Sequence, residues 1–187
     1  MSKRLFIGLE LPAACRQTLS KLDPGIKRIR WVRQEQLHLT MSFLGDVDAE
    51  REHALRDALS AVTVPPFFLP IIGLGTFGGR SPSVLWAGVG KGHPHLFALH
   101  KRVQDAVLHA GLEADLRPFH PHITLARMQG VSGAVLRPLL RESEDTEFGM
   151  WEVKDFVLFS SVLTPSGSTY EVEMRQPLVG LAHNHPK

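Results

Sequence analysis

Two short segments carry the same pattern, a histidine followed two residues later by a threonine. They are His38–Thr40 and His122–Thr124, and they lie a little under half the chain apart. Each is embedded in apolar residues, as in a buried strand. Side chains two apart on a strand point to the same face. Each strand would therefore present one imidazole and one hydroxyl to a common surface.

Two imidazoles and two hydroxyls that face one cleft suit acid–base chemistry on a phosphodiester. Near pH 7 a neutral imidazole removes a proton from the attacking hydroxyl, and a protonated one gives a proton to the leaving oxygen. Threonine hydroxyls can donate to the non-bridging phosphoryl oxygens, where charge grows in the transition state. One such histidine alone is usually a hydrogen-bonded strand residue, but two copies in matched apolar strands favour a shared site.

The elements around the two motifs predict an α+β fold. A weak repeat relates the motif strands, which indicates two lobes with approximate two-fold symmetry and helices on the outside. No linker is long enough to separate independent domains, so we expect residues 1–187 to form a single two-lobed domain. The predicted strands cover residues 4–10, 37–44, 67–72, 84–89, 122–127, 153–162 and 168–173, and the predicted helices begin near residues 12, 48 and 95.

Composition narrows the class of protein. With 43% apolar and 21% charged residues, the 187-residue chain can bury a core, and 16 glycines and 13 prolines argue against a helical bundle. The single cysteine, Cys15, excludes an internal disulfide. No apolar run approaches the roughly 18 residues of a membrane span. The apolar stretch after Lys3-Arg4 is too short for a signal peptide, so we expect a cytoplasmic protein without membrane contact.

The segments Leu37–Gly45 and Phe119–Arg127 resemble the paired motifs of the two-histidine phosphoesterases. Within that superfamily the chain is most similar to the RNA 2′,3′-cyclic phosphodiesterases, also called LigT, ThpR or 2′-5′ RNA ligases. The resemblance extends to Arg4–Pro12 and Leu158–Tyr170, where Phe159 stands in place of an expected tyrosine.

The resemblance implies a bilobal fold in which two antiparallel sheets flank a central cleft. It implies hydrolysis of a 2′,3′-cyclic phosphate to a 2′-phosphomonoester, without metal or cofactor, and a reversible 2′-5′ RNA ligase activity. It makes His38 the proton donor, His122 the proton acceptor, and Thr40 and Thr124 phosphate-binding residues. The expected partner is RNA ending in a 2′,3′-cyclic phosphate, with tRNA halves as one candidate, and the expected state is a monomer.

Five further residues are predicted to bind substrate. Arg127 and Phe43 match a basic and an aromatic position of the family motifs, and Phe119 opens the second motif. Arg30 and Trp31 belong to a basic run, residues 27–33, whose charges and aromatic ring suit a single-stranded RNA path. An ordinary solvated loop is the alternative interpretation of that run.

Other functions stay open from the sequence. His38, His120 and His122 form a candidate three-histidine zinc site, but no carboxylate or cysteine accompanies them at ligand spacing. The same fold could act on small cyclic nucleotides or on 2′-5′ oligoadenylate. A module that binds RNA ends without catalysis is a third hypothesis, against which the two intact His-x-Thr motifs argue.

Overall fold

The structure, a computed structural model, describes residues 2–23, 25–90, 92–115, 117–164 and 167–180. Its centre is a curled antiparallel sheet. The strands of the described chain are β1 Lys3–Glu10, β2 Ile29–Trp31, β3 His38–Val47, β4 Phe67–Phe77, β5 Val84–Val89, β6 His122–Met128, β7 Glu147–Val153, β8 Asp155–Thr164 and β9 Gly167–Pro177. The helices are α1 Ala13–Ser20, α2 Ala49–Ser60, α3 Pro94–His109 and α4 Gly133–Glu142.

The sheet consists of two halves that meet at the two motif strands. Its order is β7-β4-β5-β6-β3-β1-β8-β9, with the short β2 paired to the far end of β6. Strands β3 and β6 pair only through Leu39 and Ile123. The α+β, two-lobed, antiparallel fold is therefore confirmed. The two expected sheets are the halves of one curled sheet, since this single pair connects them.

The core lies on the face of the sheet opposite the motif histidines. Leu39 and Met41 on β3 and Ile123 and Leu125 on β6 are buried there. Helices α1, α2 and α3 cover this face with apolar side chains of the same cluster. No helix in the described residues is long and apolar enough to cross a membrane. The histidines and threonines of the motifs face away from this core.

Most predicted elements occur at the expected places, and four features differ. Strand β4 runs to Phe77, and Val153 ends the unpredicted β7 instead of beginning β8. Strand β2 is three residues long, too short to show a period. Helix α4 was not predicted because Pro138 lies inside it. The predicted turn at Pro165–Ser166 and the C-terminal tail lie outside the described residues.

Candidate active site

Strand β6 carries one extra residue directly after its motif. Thr124 pairs with Trp86 on β5, and Ala126 pairs with the adjacent Leu85. Leu125 is thus the additional residue of a β-bulge, which shifts the alternation of side chains by one position. Leu125 and Ala126 are both buried in consequence.

The bulge brings Arg127 to the cleft. In a regular strand Arg127 would point away from His122 and Thr124, because it lies an odd number of residues from both. After the bulge it is exposed between the buried Ala126 and Met128. The three-residue spacing from Thr124 to Arg127 therefore places the guanidinium on the same side as the motif.

Strand β3 repeats this arrangement. Thr40 pairs with Gly8 on β1, and Ser42 pairs with Ile7, so that Met41 is the extra residue. Phe43, which follows Ser42, is 58% exposed. Phe43 thus occupies in the first half of the sheet the position that Arg127 occupies in the second.

The two motif histidines are oriented by the same contact. The Nδ1 atom of His38 lies 2.7 Å from the carbonyl oxygen of Gln36, and that of His122 lies 2.6 Å from the carbonyl oxygen of His120. A carbonyl oxygen only accepts, so Nδ1–H donates in both rings. In each neutral ring Nε2 then carries the lone pair and is left to act on a ligand.

Aromatic rings surround His38. Its ring centroid lies 5.0 Å from that of Phe6, 5.4 Å from that of Tyr170 and 6.2 Å from that of Phe159. Burial lowers the pKa of His38, and the charge of His122 lowers it further, while the hydrogen bond to Gln36 opposes both. The electrostatic effect between the two imidazoles is expected of groups that face one cleft.

His122 has a different neighbourhood. Its ring meets Phe77 edge-on at 4.9 Å and lies 6.4 Å from Trp86. Burial is the main cause that lowers its pKa; the hydrogen bond to the His120 carbonyl opposes it, and the charges of His120 and Arg127 lower it further. Both imidazoles are therefore biased towards the neutral form in the free protein.

Arg127 acts electrostatically on both halves of the cleft. Its charge lowers the pKa of His122, and it opposes the burial that raises the pKa of Tyr170 on β9. Strand β9 lies at the outer edge of the other half of the sheet. The charge of the guanidinium thus acts on groups of both halves of the sheet.

A second arginine lies beside Arg127. Arg30 on β2 is its direct partner across the strand pair, and both side chains are exposed. Like charges directly opposite each other are destabilising. Among the described residues no carboxylate forms an ion pair with either of them. The pair therefore presents uncompensated positive charge at the end of the cleft.

Trp31 and Phe119 take packing positions. Trp31 is half-buried against both larger core clusters, and its indole Nε1 is buried without a hydrogen-bond partner among the described residues. Phe119 stacks on His100 with a centroid distance of 3.9 Å and meets Phe97 edge-on at 5.6 Å. The prediction that these two rings bind RNA remains untested.

Sequence reasoning missed four rings around the histidines. Phe6 and Tyr170 contact His38, and Phe77 and Trp86 contact His122. Phe6 and Tyr170 belong to segments that resemble the family, but only the pairing of β1, β8 and β9 brings them to the motif. Nothing in the sequence around Phe77 indicates that β4 extends so far.

The three-histidine metal site has no support in the geometry. His120 lies before β6 rather than on it, and its carbonyl oxygen is used to orient His122. Within the described part of the chain, no three His, Cys, Asp or Glu residues are grouped as a metal site would require.

A comparison with protein families matches residues 12–163 to the 2′-5′ RNA ligase superfamily. The chain belongs to this superfamily. It is 33% identical to an RNA 2′,3′-cyclic phosphodiesterase of Archaeoglobus fulgidus over 172 residues, which cover 90% of this chain and 96% of that protein. It is 34% identical over 183 residues to one of Geobacillus stearothermophilus, covering 94% of this superfamily member but only 57% of the relative.

Solved structures of the superfamily share the fold. Escherichia coli LigT complexed with 3′-AMP has a TM-score of 0.80 and 30% identity, with 95% of this chain and 99% of that chain covered. A structure described as a phosphoesterase has a TM-score of 0.83 and 27% identity, with 96% and 99% covered.

Proposed function

We propose that this protein hydrolyses the 2′,3′-cyclic phosphate at the end of an RNA to a 2′-phosphomonoester. The observation that carries the proposal is the pair of imidazoles with Nδ1 held by a main-chain carbonyl and Nε2 left for a ligand. The membership of the superfamily and the relatives named RNA 2′,3′-cyclic phosphodiesterase support the same reaction.

The proposed reaction is an in-line displacement at phosphorus. Nε2 of His122 takes a proton from a water molecule, whose oxygen forms the new bond to phosphorus. The bond from phosphorus to the 3′-oxygen breaks on the opposite side, and Nε2–H of His38 gives its proton to that oxygen. One imidazole must start neutral and the other protonated.

The remaining residues stabilise the charge on the phosphoryl group. The hydroxyls of Thr40 and Thr124 share a face with the histidines and donate to the non-bridging oxygens. The guanidinium of Arg127 supplies positive charge where negative charge grows. Phe43, at the equivalent position of the other half, offers an exposed ring on which the terminal base stacks.

We further propose that RNA, rather than a free nucleotide, is the substrate. The exposed Lys27, Arg28 and Arg30 continue the positive charge of Arg127 beyond the cleft, which suits the phosphates of a strand. One chain supplies both histidines, so a monomer is enough to complete the site. We propose that the protein acts in the cytoplasm as a single two-lobed domain. The ends of tRNA halves are a candidate substrate.

The test is phosphorus NMR of the product formed from an oligonucleotide with a 2′,3′-cyclic phosphate. A 2′-phosphomonoester is expected, and activity persists in excess EDTA because imidazoles move both protons. A product with a 3′-phosphate would contradict the assignment of the leaving oxygen. A small cyclic nucleotide assayed in parallel tests the alternative substrate class, and binding of both without turnover would favour a non-catalytic module.

The direction of proton transfer has its own test. Replacing either His38 or His122 by alanine is expected to lower turnover about 10²–10⁴-fold. A substrate with a much better 3′ leaving group needs little protonation, so it should largely rescue His38→Ala and leave His122→Ala slow. Rescue of His122→Ala instead would exchange the two roles.

A further inference from the structure

Three exposed arginines outside the cleft have no role in the hydrolysis described above. Arg80 lies in the turn between β4 and β5, and Arg137 and Arg141 lie on α4. Among the described residues no carboxylate forms an ion pair with any of them. On α3, by contrast, the exposed Lys101 pairs with Asp105. The three arginines therefore carry uncompensated positive charge.

These arginines line two grooves that adjoin each other along α4. The first groove, of about 420 Å³, lies between the turn and the helix and is lined by Arg80 and Arg137. The second, of about 460 Å³, is lined by Arg137 and Arg141. Arg137 belongs to both, so they form one surface, which we call the α4 groove. Glu142 is the one acidic residue among its described lining residues, so the groove is positive overall.

Packing holds the helix and the turn in place. Leu136, on the inner face of α4, is fully buried against β5 and β6. A Cβ at Gly133 would lie 3.7 Å from the carbonyl oxygen of Arg80, so the turn contacts the first residue of the helix. Arg137 and Arg141 are four residues apart and lie on one helix face, with Cβ atoms about 5–6 Å apart. A rigid backbone therefore carries all three charges.

Positive side chains connect the α4 groove to the cleft. Only residues 129–132 separate β6, which carries Arg127, from α4. Arg30 is the strand partner of Arg127. Arg28, two residues before Arg30, reaches this connection, since a Cβ at Gly130 would lie 3.6 Å from its guanidinium nitrogen. An RNA whose end lies in the cleft can thus meet arginines as far as α4.

The α4 groove differs from the cleft because no aromatic ring occurs among its described lining residues. Unpaired bases are bound by stacking on aromatic rings, and the cleft offers such a ring at Phe43. In a double-stranded stem the bases stack on one another, and proteins contact its phosphates and 2′-hydroxyls. The groove therefore suits a stem better than a single strand.

We propose that the α4 groove binds the phosphates of a double-stranded RNA stem, while the cleft holds the unpaired end that carries the cyclic phosphate. This inference rests on the proposed function. The preferred substrate is then a cyclic phosphate on a short overhang next to a stem. Guanidinium groups bind phosphates by charge-assisted hydrogen bonds. Because these contacts lie away from the reacting phosphorus, they should lower KM and leave kcat unchanged.

Two RNA substrates of equal length, with the same unpaired 3′ segment and a 2′,3′-cyclic phosphate, test this proposal. One forms a hairpin stem before the overhang, and the other is single-stranded throughout. The double variant Arg137→Gln/Arg141→Gln removes two charges from α4. The control Lys101→Gln/Arg102→Gln removes two charges from exposed positions of α3. Steady-state hydrolysis gives kcat and KM, and fluorescence anisotropy across salt concentrations gives the affinity for each RNA in its 2′-phosphate form.

For the hairpin RNA, KM should rise about tenfold in the α4 variant, the effect of one charge-assisted hydrogen bond, with kcat unchanged. The slope of log K against log salt should decrease by up to about 1.8, at about 0.9 for each phosphate contact on a duplex. Arg80→Gln alone should act in the same direction on the hairpin. The single-stranded RNA and the α3 control should show neither change.

An unchanged KM and an unchanged affinity for the hairpin in the α4 variant would overturn the proposal. Equal losses on the two RNAs would also overturn it, because the groove would then bind a single strand. An equal loss in the α3 control would assign the effect to net charge alone. If the unaltered protein hydrolyses neither RNA, the proposed function fails, and the anisotropy measurements still decide whether the groove binds the stem.

Discussion

Burial lowers the pKa of both His38 and His122 below the usual value of about 6.5. The pH profile of kcat/KM reports the free enzyme and peaks between its two pKa values. We therefore predict a bell-shaped profile with its maximum below about pH 6.5. The bound phosphodiester anion favours the charged imidazole, so the maximum of kcat should lie at higher pH. Steady-state kinetics across pH measures both profiles.

A kcat/KM maximum above pH 7 would contradict this reasoning, as would a profile that falls on one side only. The variants in which one of the two motif histidines is replaced by alanine are the control. Because each retains one titrating imidazole, one limb of the bell should disappear in His38→Ala and the other limb in His122→Ala.

Arg127 allows a prediction that depends on its position after the bulge. Arg127→Gln keeps a polar side chain but removes the charge that both His122 and Tyr170 experience. We expect kcat/KM to fall by about 10²-fold, the lower end of the loss for a donor that stabilises transition-state charge. Arg102→Gln, at an exposed position of α3, is the charge-matched control. If both substitutions lowered kcat/KM by the same small factor, Arg127 would not be part of the active site.

At the level of elements, the approach of β4 to β5 positions His122. Gly88 has no room for a Cβ, because the Ile72 carbonyl oxygen occupies that space. Gly88→Ala should lower the free energy of unfolding by about 1–3 kcal/mol, the range for an overpacked site, and should also impair turnover. Gly133→Ala makes the same chemical change where the nearest atom is 3.7 Å away. Denaturant unfolding measures the free energy of unfolding of both variants. Equal values would show that β4 moves aside for the added Cβ at little cost, which would contradict the prediction.

The sequence predicted most strands and helices and missed the features that depend on how the strands pair. The motif strands β3 and β6 are recognisable because a buried and a cleft-facing residue alternate along them. The bulges at Met41 and Leu125 are not, since an extra residue is visible only against the partner strand. The same reason hid the rings of Phe77 and Trp86. Their contact with His122 follows from the register of three strands.

The whole molecule divides its chemistry between two similar halves. The bulge after each motif presents Phe43 in one half and Arg127 in the other. Aromatic rings surround His38, while Arg127 and its strand partner Arg30 lie beyond His122. Two similar halves therefore carry different side chains at equivalent positions, an aromatic ring in one half and a guanidinium in the other.

The basic run, residues 27–33, gives a prediction about long substrates. Replacing Lys27 and Arg30 by glutamine should weaken binding of an RNA oligomer and flatten its salt dependence. The expected change in the slope of log K against log salt is up to about 1.4, at about 0.7 for each phosphate contact on a single strand. A small cyclic nucleotide should be bound as before. Binding measured across salt concentrations tests this, with Lys101→Gln and Arg102→Gln as the control pair.

If the salt-dependence slope changed as much in the α3 control pair as in the Lys27 and Arg30 variant, that result would mean that net charge alone attracts the RNA. Equal losses on the oligomer and the cyclic nucleotide would mean that the basic run supports the site itself. Either outcome would contradict an RNA path along β2.

The hydrogen bonds at Nδ1 have a bearing on how such a site survives mutation. In many enzymes a carboxylate side chain orients the histidine, and one substitution can remove it. Here the acceptors are the main-chain carbonyls of Gln36 and His120, which every residue type possesses. The side chains at these two positions therefore take no part in orienting the rings, provided that the backbone keeps its path. The orientation of the two motif rings is therefore set by the backbone fold and does not depend on any replaceable side chain.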